Sequence, residues 1–294
     1  MVREVARWSV LSCFIALPLV ILGCNQERNE SIRLMNKGLQ LIKREKLTEG
    51  LALLGNAADV DPTNDRAFYY QGLVFEQKLA NFQKAEAAYR RAIEISGDNV
   101  DYHYHLGSVL SQSNRPQPAI DELDKALKLK PDHAEAHLRL GISLEQVEKF
   151  DRAQEAYQQA IRHNPRLPEA YNALGNLYLR FEQYAHAAHV FRNAIENNPS
   201  FALNYHDLGL VYQAQERYPD AIAQFEKALQ LNPAHAGTLF NLGMTYFASG
   251  DLKAAQRFLQ QYLARRSAAE DMLRVETAQS TLARIDDAER RKQQ

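Results

Sequence analysis

Residues 202–233 read ALNYHDLGLVYQAQERYPDAIAQFEKALQLNP. Tyr205, Leu208, Gly209 and Tyr212 recur at the three-and-four spacing of one helix face, and Ala221, Phe225 and Ala228 repeat that spacing. Pro233 cannot continue a helix and biases its predecessor away from helical angles, so it closes the second element. The stretch is one unit of a series. With Gly209 as position 8, the series of glycines runs Gly38, Gly72, Gly107, Gly141, Gly175, Gly209 and Gly243, in steps of 34, 35, 34, 34, 34 and 34 residues. A period near 34 marks a stack of small two-helix units and decides the architecture.

The rest of the unit is phased with the glycines. Position 20 is always small: Gly50, Ala85, Ala119, Ala153, Ala187, Ala221 and Ala255, with one residue inserted in the turn at 76–82 of the second unit. Position 24 is bulky throughout (Leu54, Tyr89, Leu123, Tyr157, Phe191, Phe225, Leu259). Position 27 is alanine from Ala57 to Ala228 and then Tyr262, and position 32 is proline except at Gly97 and Ser267. A glycine inside a helix costs about 1 kcal/mol against alanine, which only packing can offset. Helix A is expected to approach helix B at the small residue of position 20, with the side chain at position 24 filling the space beside that contact.

These residues resemble the tetratricopeptide repeat. The set Tyr171, Leu174, Gly175, Tyr178, Ala187, Phe191, Ala194 and Pro199 is a second complete copy, and the first unit, with Lys37 and Gly50, is the weakest. The resemblance implies an all-α, right-handed superhelical solenoid of seven helix-turn-helix repeats, 31–64, 65–99, 100–133, 134–167, 168–201, 202–235 and 236–269. A capping helix and charged tail are expected over 270–294, with Ala268, Met272, Val275, Leu282 and Ile285 on one face. No linker interrupts the period, so one continuous solenoid is expected. The resemblance also implies a concave wall of A helices lined by positions 2, 5, 9, 12 and 13. Positions 5 and 9 are Met35 and Leu39, Tyr69 and Leu73, Tyr104 and Ser108, Leu138 and Ile142, Asn172 and Asn176, His206 and Leu210, and Phe240 and Met244. That is an apolar and aromatic groove for a partner peptide or helix, with one amide pair to hydrogen-bond an extended backbone.

Residues 1–24 differ in kind. Arg3 and Arg7 precede an apolar run over 8–22 that closes on Ile21, Leu22, Gly23 and Cys24. This is the layout of an export signal. Its last four residues resemble the lipobox of bacterial lipoproteins, with a signal peptide over 1–23, lipidation at Cys24 and a short tether to residue 30. The run contains Pro18 and is shorter than the roughly 20 residues of a spanning helix, which weighs against an uncleaved anchor. Cys13 would leave with the signal, so Cys24 becomes the only mature cysteine. Asn25 in place of aspartate favours the outer membrane, facing the periplasm, over the inner membrane. The basic residues Arg33, Lys37, Lys43, Arg44 and Lys46 read as a solvated face, with headgroup contact as the alternative.

Composition excludes other classes. Lys and Arg total 35 against 36 Asp and Glu, a net charge of −1, so nothing advertises nucleic acid. No phosphate loop, serine elbow or zincin motif is present. His103 and His105, two apart on a helix, cannot share an ion; His186 and His189 could, but nothing completes a site. No cofactor, metal, small-molecule substrate or enzymatic activity is expected. The expected function is a membrane-tethered interaction scaffold of the bacterial envelope, similar to tetratricopeptide pilotins that assist secretins of type IV pili. A self-associating structural spacer and, least favoured, a metal-dependent hydrolase are the alternatives.

Overall fold

The computed structural model describes the backbone of residues 8–265 and 272–293, and side chains over 25–265 and 272–291. The chain divides into two compact units, residues 1–149 and 150–294. The boundary falls between the two helices of the fourth repeat. In the first unit lie α1 (Trp8–Lys43), α2 (Leu47–Val60), α3 (Asp65–Gln77), α4 (Phe82–Ile95), α5 (Val100–Gln112), α6 (Pro116–Leu129) and α7 (Ala134–Gln146). The second unit holds α8 (Phe150–His163), α9 (Pro168–Arg180), α10 (Tyr184–Asn197), α11 (Ala202–Ala214), α12 (Tyr218–Leu231), α13 (Ala236–Ser249), α14 (Leu252–Arg265) and α15 (Met272–Gln293). Among the described residues there is no strand.

Each helix packs on the next within its unit, and the A helices also meet one another: α3 with α5, α5 with α7, α9 with α11, α11 with α13. The A helices therefore make one wall of each unit. Asparagines start several of these elements. Asn64 accepts from the Ala67 amide at 3.2 Å and Asn81 from the Lys84 amide at 3.0 Å, satisfying N–H groups that a helix start leaves open.

The bulky residue at position 24 lies on the glycine itself. A Cβ built at Gly107, Gly209 or Gly243 would stand 2.6, 2.6 and 2.8 Å from Leu123 Cγ, Phe225 Cε1 and Leu259 Cδ2. The expectation that this side chain sits beside the contact is thereby corrected: the glycine makes room for it. The first repeat solves the problem differently. There a Cβ on Gly38 would meet the Gly50 carbonyl at 2.9 Å, and a Cβ on Gly50 would meet Ile42, so both glycines are needed.

A second device seals the junctions between repeats. At position 4, His103, His137, Tyr171 and Tyr205 each reach the carbonyl six residues back, on Gly97, Pro131, Pro165 and Pro199, at 2.8, 2.9, 3.1 and 3.1 Å. Leu239 has no such group, and Arg265 takes the Pro233 carbonyl instead at 2.7 Å. These carbonyls lie in the turn beyond helix B, and the position-4 side chains supply them with hydrogen-bond partners.

Every A–B turn places one residue in the left-handed region: Glu45, Ala80, Asn114, Glu148, Glu182, Glu216 and Gly250. Only the last is glycine. Left-handed angles cost an L-residue about 1–2 kcal/mol, part of which glycine returns through unfolded-state freedom. Exposed Glu182, at φ 57°, should therefore gain about 0.5–1 kcal/mol on substitution by glycine. Thermal denaturation of Glu182→Gly, with Gly250→Ala as the opposite-sign control, checks it; a lower Tm for Glu182→Gly would show that the turn is unstrained.

The end of the array also differs from expectation. Met272 is 69% exposed, and the buried stripe of α15 is Val275, Ala278, Thr281 and Ile285. Tyr262, which breaks the alanine rule at position 27, is fully buried and shares a core cluster with Ala278. The large and small partners have exchanged helices, which moves the contact stripe along α15. Ala268 lies outside the described residues, as do residues 1–7 of the expected export signal and the Cys24 side chain. Residues 25–30 are helical and continuous with α1, so at 1.5 Å per residue they rise about 9 Å. Among the described residues no helix is long and apolar enough to cross a membrane.

Candidate functional site

In the first unit the A-helix wall is an aromatic ladder. Tyr69, Leu73, Tyr104 and Ile142 are half-buried, while Leu138 is only 7% exposed and belongs to the core. The Tyr69 ring lies 4.9 Å from Tyr102 and 5.7 Å from His105; Tyr104 lies 4.9 Å from His105 and 4.8 Å from His133. Beneath them Glu76 accepts from the Tyr89 hydroxyl at 2.6 Å and meets His105 Nδ1 at 3.0 Å. Burial, with nearby carboxylates, pushes the Tyr69 phenol up to about 12. The tyrosine rings are thus neutral, and the ladder is held by ring contacts that run from tilted to edge-on.

In the second unit the wall is polar at its start and apolar further on. Asn172 and Asn176 are exposed, one turn apart on α9. Asn176 Nδ2 donates to Asn172 Oδ1 at 3.0 Å, and Asn172 Nδ2 donates to Asp207 Oδ2 on α11 at 3.1 Å. Burial pushes the Asp207 carboxyl up to about 6, against the hydrogen bond from Asn172. Leu203, 39% exposed, and half-buried Leu210 flank this chain, and the whole borders an open cleft of about 620 Å³. Phe240 and Met244 are half-buried on α13 and pack against the apolar core below.

His206 is buried, and its ring nitrogens are engaged. Nδ1 lies 2.9 Å from Thr238 Oγ1, whose hydroxyl is 2.6 Å from His235 Nδ1. His235 Nδ1 also caps α13 by accepting from the Thr238 amide at 3.2 Å. That nitrogen is an acceptor, so the Thr238 hydroxyl donates to it and accepts from His206 Nδ1–H. Burial, together with His235 and Arg274, lowers His206 to about 4, which keeps it neutral. It holds α11 to α13 and presents only an edge to the cleft.

The structure places Asn172, Asn176, Tyr69, Leu73, Tyr104, Ile142, Leu210, Phe240 and Met244 on A helices, with their side chains exposed or half-buried. Sequence reasoning missed Asp207 and His105, both at position 6, while Leu203 stands at position 2, one of the expected groove positions. Position 6 was passed over because it adjoins a groove position without being one. Elsewhere His186 and His189 are exposed on α10, with His186 stacked 5.2 Å from the Tyr178 ring. Among the described residues no three His, Cys, Asp or Glu converge as metal ligands.

Sequence models described as tetratricopeptide repeat match residues 35–100, 77–140, 138–202 and 200–268, an unbroken tiling of most of the chain. The chain belongs to the tetratricopeptide repeat family. Solved structures agree. A tetratricopeptide repeat protein from Parabacteroides merdae superposes with a TM-score of 0.63 at 16% identity, covering 87% of this chain and 99% of that one. Pseudomonas aeruginosa PilF gives 0.59 at 21% identity over 75% and 98% of the two chains. YrrB, described as a tetratricopeptide repeat protein with an unusual peptide-binding site, gives 0.50 at 22% over 66% and 100%. At these identities the likeness shows the fold alone. No curated protein sequence matches the chain. A tetratricopeptide repeat fold is a protein–protein interaction scaffold and in general not an enzyme.

Proposed function

We propose that this tetratricopeptide repeat protein is a lipid-anchored scaffold of the bacterial cell envelope that holds an extended segment of a partner protein against its A-helix walls. The observation that carries the reading is the chain from exposed Asn176 and Asn172 to half-buried Asp207, bordered by Leu203 and Leu210. Each amide still offers an N–H to a partner backbone, and the leucines offer apolar seats, which is how an extended peptide is recognised. The peptide-binding site in YrrB's description supports the same use of the fold.

The anchor rests on the charged, apolar and Ile-Leu-Gly-Cys layout of residues 3–24. A lipid on Cys24, about 9 Å of helix from the first repeat, would confine the walls near membrane partners and raise their effective concentration. Assembly of a secretin or type IV pilus is the specific form of this reading suggested by the resemblance to pilotins, and the outer membrane its expected site. The fold likeness to Pseudomonas aeruginosa PilF is compatible with it.

One experiment with two arms tests the proposal on the full chain extracted from membranes. Asn172→Ala with Asn176→Ala should cut recovery of membrane partners about tenfold or more, the value of two lost hydrogen bonds. Both side chains are exposed, but Asn172 also donates to Asp207, so the melting temperature should fall slightly for the pair and stay native for Asn176→Ala alone, which serves as the folding control. Cys24→Ser should shift the chain out of the membrane fraction. Unchanged recovery overturns the binding face, and unchanged fractionation overturns the anchor.

A further inference from the structure

Asp207 is the one element of the second wall that neither the fold nor the amide pair explains. It stands at position 6 of α11, where the first unit carries Asn36, Tyr70, His105 and Arg139. Its hydrogen-bond partner among the described residues is Asn172, which engages Oδ2 at 3.1 Å; no cation there pairs with it. Leu203, Leu210 and Arg274 border the same cleft; the Arg274 guanidinium lies 6.0 Å from the Phe240 ring centre and does not pair with Asp207, and the His206 beside Asp207 is neutral.

A carboxylate in such a place loses hydration without gaining a counter-charge. Burial accordingly destabilises its charged form, and the rise to about 6 is the signature of that unmet demand. The hydrogen bonds run in one direction. Asn176 donates to Asn172 and Asn172 donates to Asp207, so the donors of the chain point toward the carboxylate and leave its Oδ1 as the open acceptor at the cleft.

We infer that the Asp207 end of this cleft is a subsite for a lysine or arginine side chain of the bound segment, flanked by apolar residues that seat against Leu203 and Leu210. The inference rests on the peptide-binding reading above and adds the chemistry of the partner to it. A cation there would supply the missing counter-charge, while the open N–H groups of Asn172 and Asn176 take backbone carbonyls beside it. An acidic segment is disfavoured by the same carboxylate, so the subsite selects as well as binds.

The probes are four pools of acetylated, amidated octapeptides, randomised except for a fixed fourth residue: lysine, arginine, glutamine or glutamate. Binding to the full-length chain in detergent micelles is read by fluorescence anisotropy. Lysine and arginine pools should bind about tenfold tighter than the glutamine pool, as a charge-assisted hydrogen bond warrants, and the glutamate pool weakest. Asp207→Asn keeps an acceptor for Asn172 and should abolish the preference for the lysine and arginine pools over the glutamine pool. Equal binding of all pools overturns the inference and leaves the peptide-binding reading standing. Binding of none overturns both. A preference that survives Asp207→Asn, with the native melting temperature retained, places the cation elsewhere and also overturns it.

Discussion

Phe225→Ala should cost the chain about 3–5 kcal/mol, the range for emptying a fully packed ring site. Phe225 is inaccessible to solvent, lies on Gly209 and shares a core with Leu239, Leu242 and Leu259. Chemical denaturation gives the loss directly, with exposed Met272→Ala as a control expected within about 0.5 kcal/mol of native. The informative partner is Gly209→Ala. Alone, its Cβ would stand 2.6 Å from Cε1 of an immobile ring, an overpacking cost of about 1–3 kcal/mol. The gain in helix propensity, about 1 kcal/mol, offsets only part of that. With Phe225 already truncated the same methyl enters a cavity, so the double variant should be more stable than Phe225→Ala alone. The two changes are in contact and their energies should fail to add. An additive cycle would mean that the ring does not require the glycine, and the packing account of the 34-residue period would fall with it.

The period was legible because it comes from backbone geometry repeated with a single inserted residue. Glycine at position 8 and alanine at 20 and 27 are the residues that must be small for helices to approach, and one such pattern reads through any surface. What stayed hidden depended on pairing between repeats. Leu138 occupies a groove position by register, yet α7 turns it into the core, so its exposure is a property of neighbours. His206 likewise reads as a groove residue until Thr238 and His235, thirty or so residues away, tie up its ring. Asp207 and Glu76 are ordinary acidic residues in the sequence; only the packing of adjacent A helices makes one a desolvated carboxylate and the other a bridge between Tyr89 and His105. The cap shows the same limit. Its helix was legible, but the face it buries was shifted by Tyr262, a single large residue on the preceding helix.

Glu122→Ala should cost about 3 kcal/mol at pH 6, the lower range for stranding one member of a buried ion pair, and clearly less at pH 9. The reason is the protonation of His103. Its Nδ1 faces Glu122 Oε2 at 2.6 Å and its Nε2 faces the Gly97 carbonyl at 2.8 Å. Both neighbours are acceptors, so both ring nitrogens carry hydrogen and the ring is an imidazolium. The hydrogen bond to Glu122 raises His103 above its ordinary 6.5, against the opposing pull of burial. Burial would raise Glu122 too, but the bonds from His103 and from Lys125, at 2.9 Å, outweigh it and hold the carboxyl below its usual range. A raised histidine contributes stability in full below 6.5 and loses it as pH climbs through the folded value. A lowered carboxyl contributes above 4.5 and loses its share as pH falls through its own folded value. The pair is therefore strongest between the carboxylate range and the folded value of His103, and alkaline solution weakens it from the histidine side. Denaturation of native and variant chains at pH 6 and pH 9 measures the difference. A gap of equal size at both would show that His103 does not titrate between the two pH values. The consequence reaches the fold because Gly97 stands where most repeats have proline. At the other junctions a fixed ring ends helix B; here the bend depends on a carbonyl held by a titrating side chain, so this junction is the one whose rigidity should follow pH.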